Sequence, residues 1–183
     1  MSRVDKWTDQ LNEMSIVRFG LLSLSTNIAS ILFFLLFGVF LGSWTDGLLF
    51  WLFFFPLRKN AGGFHAKTQM GCIFFSIVAL FLDYYFWEQI IRIKMICVMV
   101  SAICCVSIFV LAPQGSRNKE LDITEEKVYR RRVCGILSAE VVVFIISIAC
   151  DWEWGILCVG KSVTMVAVLL GLQKMQSKFW TNN

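Results

Sequence analysis

The chain has one histidine, His65, and a cysteine, Cys72, seven residues after it. Both lie in the island Arg58-Lys-Asn-Ala-Gly-Gly-Phe-His-Ala-Lys-Thr-Gln-Met-Gly-Cys72, which is polar, basic and glycine-rich between two apolar segments. An imidazole and a thiol confined together suggest an activated nucleophile, the base taking the thiol proton and leaving a thiolate. Spacing limits how this can work. On one straight helix, residues seven apart share a face but sit ~10.5 Å apart along the axis, whereas a proton passes over about 3 Å. The backbone must therefore break between them. Gly62 and Gly63 favour a loop just before His65. Thr68 can cap a helix that starts at Gln69, which puts Cys72 in or just after its first turn. There the positive end of the helix dipole lowers the thiol pKa, and Gly71 leaves room for a substrate backbone. The plainer alternative is an interfacial histidine and a small buried cysteine.

The elements that must hold this pair are those of a membrane. Of 183 residues, 57% are hydrophobic and 16% charged, and the mean hydropathy is +0.69. That balance excludes an ordinary soluble domain and predicts an all-α integral membrane protein with one membrane domain spanning residues 1–183. The seven cysteines form no C-x-x-C pair, and one histidine cannot complete a usual zinc set. Reduced, buried thiols are expected, with no metal and no cofactor. Acids at 5, 9 and 13 and a long apolar run argue against a cleavable signal.

Residues 1–20 place Val4, Trp7, Leu11 and Met14 on one helical stripe, predicting an amphipathic helix on the membrane surface. Six spans follow. Leu21–Leu41 carries no charge over 21 residues, enough to cross a bilayer. Gly47–Leu57 is apolar over only 11 residues and becomes a second helix when Trp44–Asp46 and Arg58–Asn60 are added. Pro56 ends or bends it. The third span runs Gly71–Leu82, with Asp83, Tyr84, Tyr85 and Trp87 as a far-side aromatic belt and Glu88–Lys94 as a polar connection. Met95–Leu111 is the fourth, ended by Ala112-Pro113. The basic loop 113–132 leads to the fifth, Val133–Ala149, and the sixth is Trp154–Gly171.

Basic residues set the orientation. With the N-terminus inside, 14 Lys and Arg fall on inner segments and 2 on outer ones, a strong positive-inside bias. Both termini and the His65/Cys72 island then face the cytoplasm. The inner surface, net positive, suits anionic lipid or an acidic peptide; no nucleic-acid partner is expected, and a homodimer is compatible. Glu140 and Lys161 lie within spans, where charges are costly and often functional. Lys161 can reach down to pair with Glu140, or snorkel outward and leave Glu140 lining a wet cavity.

The pattern Arg58-x-x-Ala-x-Gly-x-His65-Ala, with Cys72 seven after the histidine, resembles the signature of the accessory gene regulator B (AgrB) family, membrane-embedded cysteine endopeptidases of Gram-positive bacteria. Ala112-Pro113 followed by a basic loop, the length and the six-span layout are also AgrB-like, so the resemblance covers essentially the whole chain. It implies a small AgrD-like propeptide as substrate, with an amphipathic leader, a short core and an acidic C-terminal tail. Cys72 matches the family nucleophile, His65 its base, and Arg58 and Gly63 positions the family also needs. The implied reaction expels the tail through an acyl-enzyme thioester, which a Cys or Ser of the core captures to close a thiolactone or lactone ring. The acidic tail could dock on Arg130, Arg131 and Arg132, against the alternative of a solvated, lipid-facing patch. A competing class is a small transporter or channel using Glu140 and Lys161, with His65 as a gate. A third is a membrane adaptor whose basic loop binds a partner.

Overall fold

The computed structural model describes residues 21, 24–25, 28–40, 44–62, 69–114 and 122–181, with side chains at all of these except 69–76 and 177–181. All regular structure among them is helical: α1 Ile28–Phe40, α2 Trp44–Ala61, α3 Gln69–Ile90, α4 Lys94–Leu111, α5 Ile123–Ala149 and α6 Glu153–Thr181. The amphipathic segment expected at 1–20 lies outside the described residues. Among the described residues three helices, α4, α5 and α6, are long and apolar enough to cross a membrane.

Two compact units divide the chain at Leu48. In Met1–Leu48, Phe33 meets Phe34 edge-on and stacks on Phe37. Gly47 lies against the Phe34 carbonyl and the Gly38 Cα, where any side chain would collide.

The unit Leu49–Asn183 is built around α6. Some 72% of its apolar window is buried, against 17% for α4 and 28% for α5, so α6 is the helix the others surround. Val159, Val163, Val166 and Leu170 recur at helical spacing and are all buried. Within a bilayer the driving force for such packing is close van der Waals fit and hydrogen bonding, because lipid is as apolar as the side chains. Gly160 supplies the fit. Its missing side chain is replaced by the indole of Trp87 from α3, which is fully buried. The Trp87 Nε1–H donates to Thr164 Oγ1 at 3.2 Å, one turn further along α6.

One member of the far-side belt is corrected: α3 runs on past Leu82 to Ile90, and Trp87 is core, while Tyr85 stays exposed. The polar connection shrinks to the residues between Ile90 and Lys94. The basic loop is shorter too. Asp122 caps α5, its carboxylate accepting from the Ile123 amide at 2.8 Å and from the Thr124 hydroxyl at 2.7 Å. Helix α5 therefore starts ten residues before the expected span, at Ile123, and Arg130–Arg132 are helical. The α5–α6 connection is a tight C-cap. Asp151 takes a positive φ of 55°, the Trp152 amide donates to Ser147 O, and the Asp151 amide to Ile148 O, the paired bonds of a Schellman motif. Lys94 at the start of α4 pairs with Asp151. One end of this unit thus gathers Ile90, Lys94 and the α5–α6 turn. The other gathers the ends of α2 and α4 and the start of α5.

Candidate active site

Helix α2 delivers the chain to the His65 island. It continues through Pro56, with the Asn60 carboxamide donating to the Pro56 carbonyl at 2.7 Å. It stops at Ala61 because Gly62 turns to φ +80°, a left-handed conformation that glycine adopts without strain. The Gly62 amide still donates to Arg58 O at 3.2 Å. Arg58, half-buried, reaches past the helix end, and its Nη1 donates to the Gly62 carbonyl. The guanidinium thus satisfies a carbonyl that the helix leaves without a partner.

The same turn is held from the far side of the sequence. Helix α4 ends at Leu111, with the Ala112 amide donating to Ile108 O at 2.8 Å. Two residues on, the Gln114 amide donates to Ala61 O at 3.0 Å. The Gln114 carbonyl packs on the Gly62 α-carbon so closely that a Cβ there would overlap it.

Beyond the island, α3 begins at Gln69, the residue expected from the sequence. Cys72 is the fourth residue of that helix, in its first turn. The amides of a first turn have no partner within their helix. His65, Gly63 and the predicted cap Thr68 lie outside the described residues, as does the Cys72 side chain.

At the same end, α5 carries Arg130, Arg131 and Arg132, all exposed. Arg130 stacks its guanidinium over the Phe109 ring of α4 at 5.6 Å, and Arg132 lies over Tyr129 at 6.0 Å. Arg130 and Gly62 are therefore both anchored on the last residues of α4 and its extension.

The two ionisable groups of the spans are not together. Lys161 points its ammonium to α3, with Nζ 4.0 Å from the Tyr84 ring centroid and 4.0 Å from Glu88 Oε1. Asp83, one residue before Tyr84 and buried, feels the same charge. Glu140 is buried on α5, and neither carboxylate oxygen has a hydrogen-bond partner. Sequence reasoning missed Tyr84 and Glu88 as the partners of Lys161. The available signal was their spacing: Tyr84 and Glu88 are one turn apart on a helix. A cavity of about 20 Å³ lies among α4, α5 and α6, lined by Ser101, Cys105, Val141, Phe144, Val159 and Val163. It has room for about one water, so it is no peptide site. The six described cysteines are all free, and no cluster of metal-ligating side chains occurs among the described residues.

A family model described as accessory gene regulator B matches residues 2–177. The chain belongs to the AgrB family. No curated protein and no solved structure matches it. The AgrB match takes in the Arg58–Cys72 island, the Ala112-Pro113 step and the basic start of α5 alike. Within the matched range, the start of the island and the residue after the Ala112-Pro113 step are in contact through Gly62 and Gln114.

Proposed function

We propose that the protein is a membrane cysteine peptidase that trims an AgrD-like propeptide and promotes its cyclisation to a quorum-sensing peptide, with Cys72 as nucleophile and His65 as base. The observation that carries this is the start of α3 at Gln69 after the left-handed turn at Gly62. The described part of α2 ends at Ala61 and that of α3 begins at Gln69, so Cys72 is fourth in its helix and His65 stands before it; a dyad at this spacing needs the chain to break between the two. The helix start also offers its dipole to a thiolate and its free first-turn amides to an oxyanion.

In this reading His65 takes the Cys72 proton, and the thiolate adds to the carbonyl at the core–tail junction. Collapse of the tetrahedral oxyanion breaks the C–N bond, and His65 returns the proton to the departing amine. The acyl-enzyme thioester is then attacked by a Cys or Ser side chain of the core, which gives its proton to His65. A thiolactone or lactone ring closes, and Cys72 leaves as thiolate. Capture by an internal nucleophile rather than water requires a dry site, which a cleft at the face of a membrane provides. The reading has six spans with both termini inside and the dyad at the cytoplasmic face, a layout that the 14-to-2 distribution of basic residues supports. Arg130, Arg131 and Arg132 receive the acidic tail. Their exposure and the anchoring of Arg130 on the same stretch of α4 that holds Gly62 support it. Arg58 and Gly63 support the loop. The transport alternative loses its pair, because Lys161 turns to α3 and away from Glu140.

Co-expression with a propeptide tests the assignment. Cys72→Ala and His65→Ala each abolish tail release at unchanged protein level. Persistent cleavage in the Cys72→Ala protein ends the peptidase reading.

A further inference from the structure

The island and the α4–α5 connection meet through main-chain atoms. The Gln114 amide donates to Ala61 O at 3.0 Å. The Gln114 carbonyl occupies the space that a side chain at 62 would need. The turn between these contacts is itself left-handed, and its carbonyl is held by Arg58. The link is made by main-chain atoms; the buried Oε1 of the Gln114 carboxamide has no hydrogen-bond partner.

We propose that Gln114 is a positioning residue for the His65/Cys72 chemistry, its backbone clamping the exit of α2 so that the chain enters the island in one direction. This rests on the peptidase reading above. His65 is three residues beyond Gly62, so its Cα stays within roughly 11 Å of that turn. The direction in which Gly62 releases the chain therefore decides where the imidazole can be. Cys72 is fixed separately, by α3. Two independently anchored partners meet within about 3 Å only if the entry is held. A clamp made of backbone on a rigid helix end holds it without side-chain freedom to average over. Its consequence is specific: what occupies position 114 matters through its N–H, and what occupies 62 matters through its bulk.

The test uses the full-length protein in membrane vesicles, with Gln114→Pro, Gln114→Ala and Gly62→Asn beside the wild type. Proline deletes the N–H and alanine keeps it. Asparagine tolerates the left-handed turn but brings a Cβ into the Gln114 carbonyl. One readout is the pH profile of Cys72 alkylation by iodoacetamide, mapped by mass spectrometry. The other is kcat and KM for tail release from the propeptide. In the wild type the alkylation inflection lies below the ordinary thiol value of ~8.5. Gln114→Pro and Gly62→Asn move it up to that value and lower kcat by roughly 10²-fold, the penalty of ~1 Å misplacement, at unchanged KM. Gln114→Ala recovers both. Cys97 and Cys158, buried in the core, stay slow to alkylate in every variant. An unshifted inflection in Gln114→Pro and Gly62→Asn overturns the clamp. So does fast alkylation of Cys97 in both, which makes the contact a general support of the fold. An ordinary inflection in the wild type itself overturns the peptidase reading instead.

Discussion

Lys161 shows how much one side chain can settle. Its ammonium reaches from α6 to α3, where it meets the Tyr84 ring and Glu88. An ammonium over an aromatic face is attracted by the ring quadrupole. Lys161→Met keeps the carbon stem but removes the ammonium, so the cation–π contact is lost, worth about 2 kcal/mol where the ion is desolvated. Thermal unfolding in detergent micelles should show the loss. Lys161→Arg, which keeps a cation for the Tyr84 ring and Glu88, should recover most of it. A Lys161→Met protein as stable as the wild type would mean that this contact adds nothing to the packing of α3 on α6. At this scale the sequence was half legible. It marked Lys161 as costly and Glu140 as its possible partner. Rise per residue along two helices can place both groups in depth, but it says nothing of rotation about the axes, and rotation decides which neighbour an ammonium meets.

Among the elements, legibility followed local signals. The stop of α2 before Gly62, the start of α3 at Gln69 and the stop of α4 before Pro113 are punctuation that the chain writes locally, and all were readable. The run Asp83–Trp87 was not. Aromatic residues beside an acid look alike at a lipid interface and inside a helix pair. What makes Trp87 core is the hollow at Gly160, 73 positions away in the sequence. The start of α5 was readable in principle, because Asp122 followed by Glu125 is a cap followed by an acid in the first turn. The run of basic residues that follows suggested a loop instead. That cap carries a pH signature. Hydrogen bonds from the Thr124 hydroxyl and the Ile123 amide hold the Asp122 carboxyl below its ordinary value of 3.8. The depressed pKa means the cap stabilises the folded form above that value and fades as pH falls through and below it. Hydrogen-exchange protection at Ile123–Glu126 should therefore drop between about pH 4 and lower values, while Val133–Ala149 stays protected. Asp122→Ala should show the low-pH protection at every pH. An Asp122→Ala protein with the wild-type profile would remove the cap from the account of why α5 begins where it does.

For the molecule as a whole, the issue is which end faces which side. In the unit Leu49–Asn183, Cys150 caps α5 at the end that holds Lys94 and Asp151. Gln114 and Arg130–Arg132 are at the other end. The three helices long enough to cross a bilayer, α4, α5 and α6, run between these ends, so the two cannot share a face of the membrane. In the proposed orientation the excess of basic charge lies inside, with the arginine end toward the cytoplasm and Cys150 toward the exterior. Cys150 is exposed, whereas Cys97 and Cys158 are buried. A membrane-impermeant maleimide applied to intact cells should therefore label Cys150 and spare those two. An Arg131→Cys protein should gain label at 131 only after the membrane is made permeable. The peptidase reading depends on this outcome, because a propeptide made in the cytoplasm must meet Cys72 before it crosses. If Cys150 reacts only in permeabilised cells, the chain is inverted, the Gly62–Gln114 end opens outward, and a processing role for the island would require a substrate already exported.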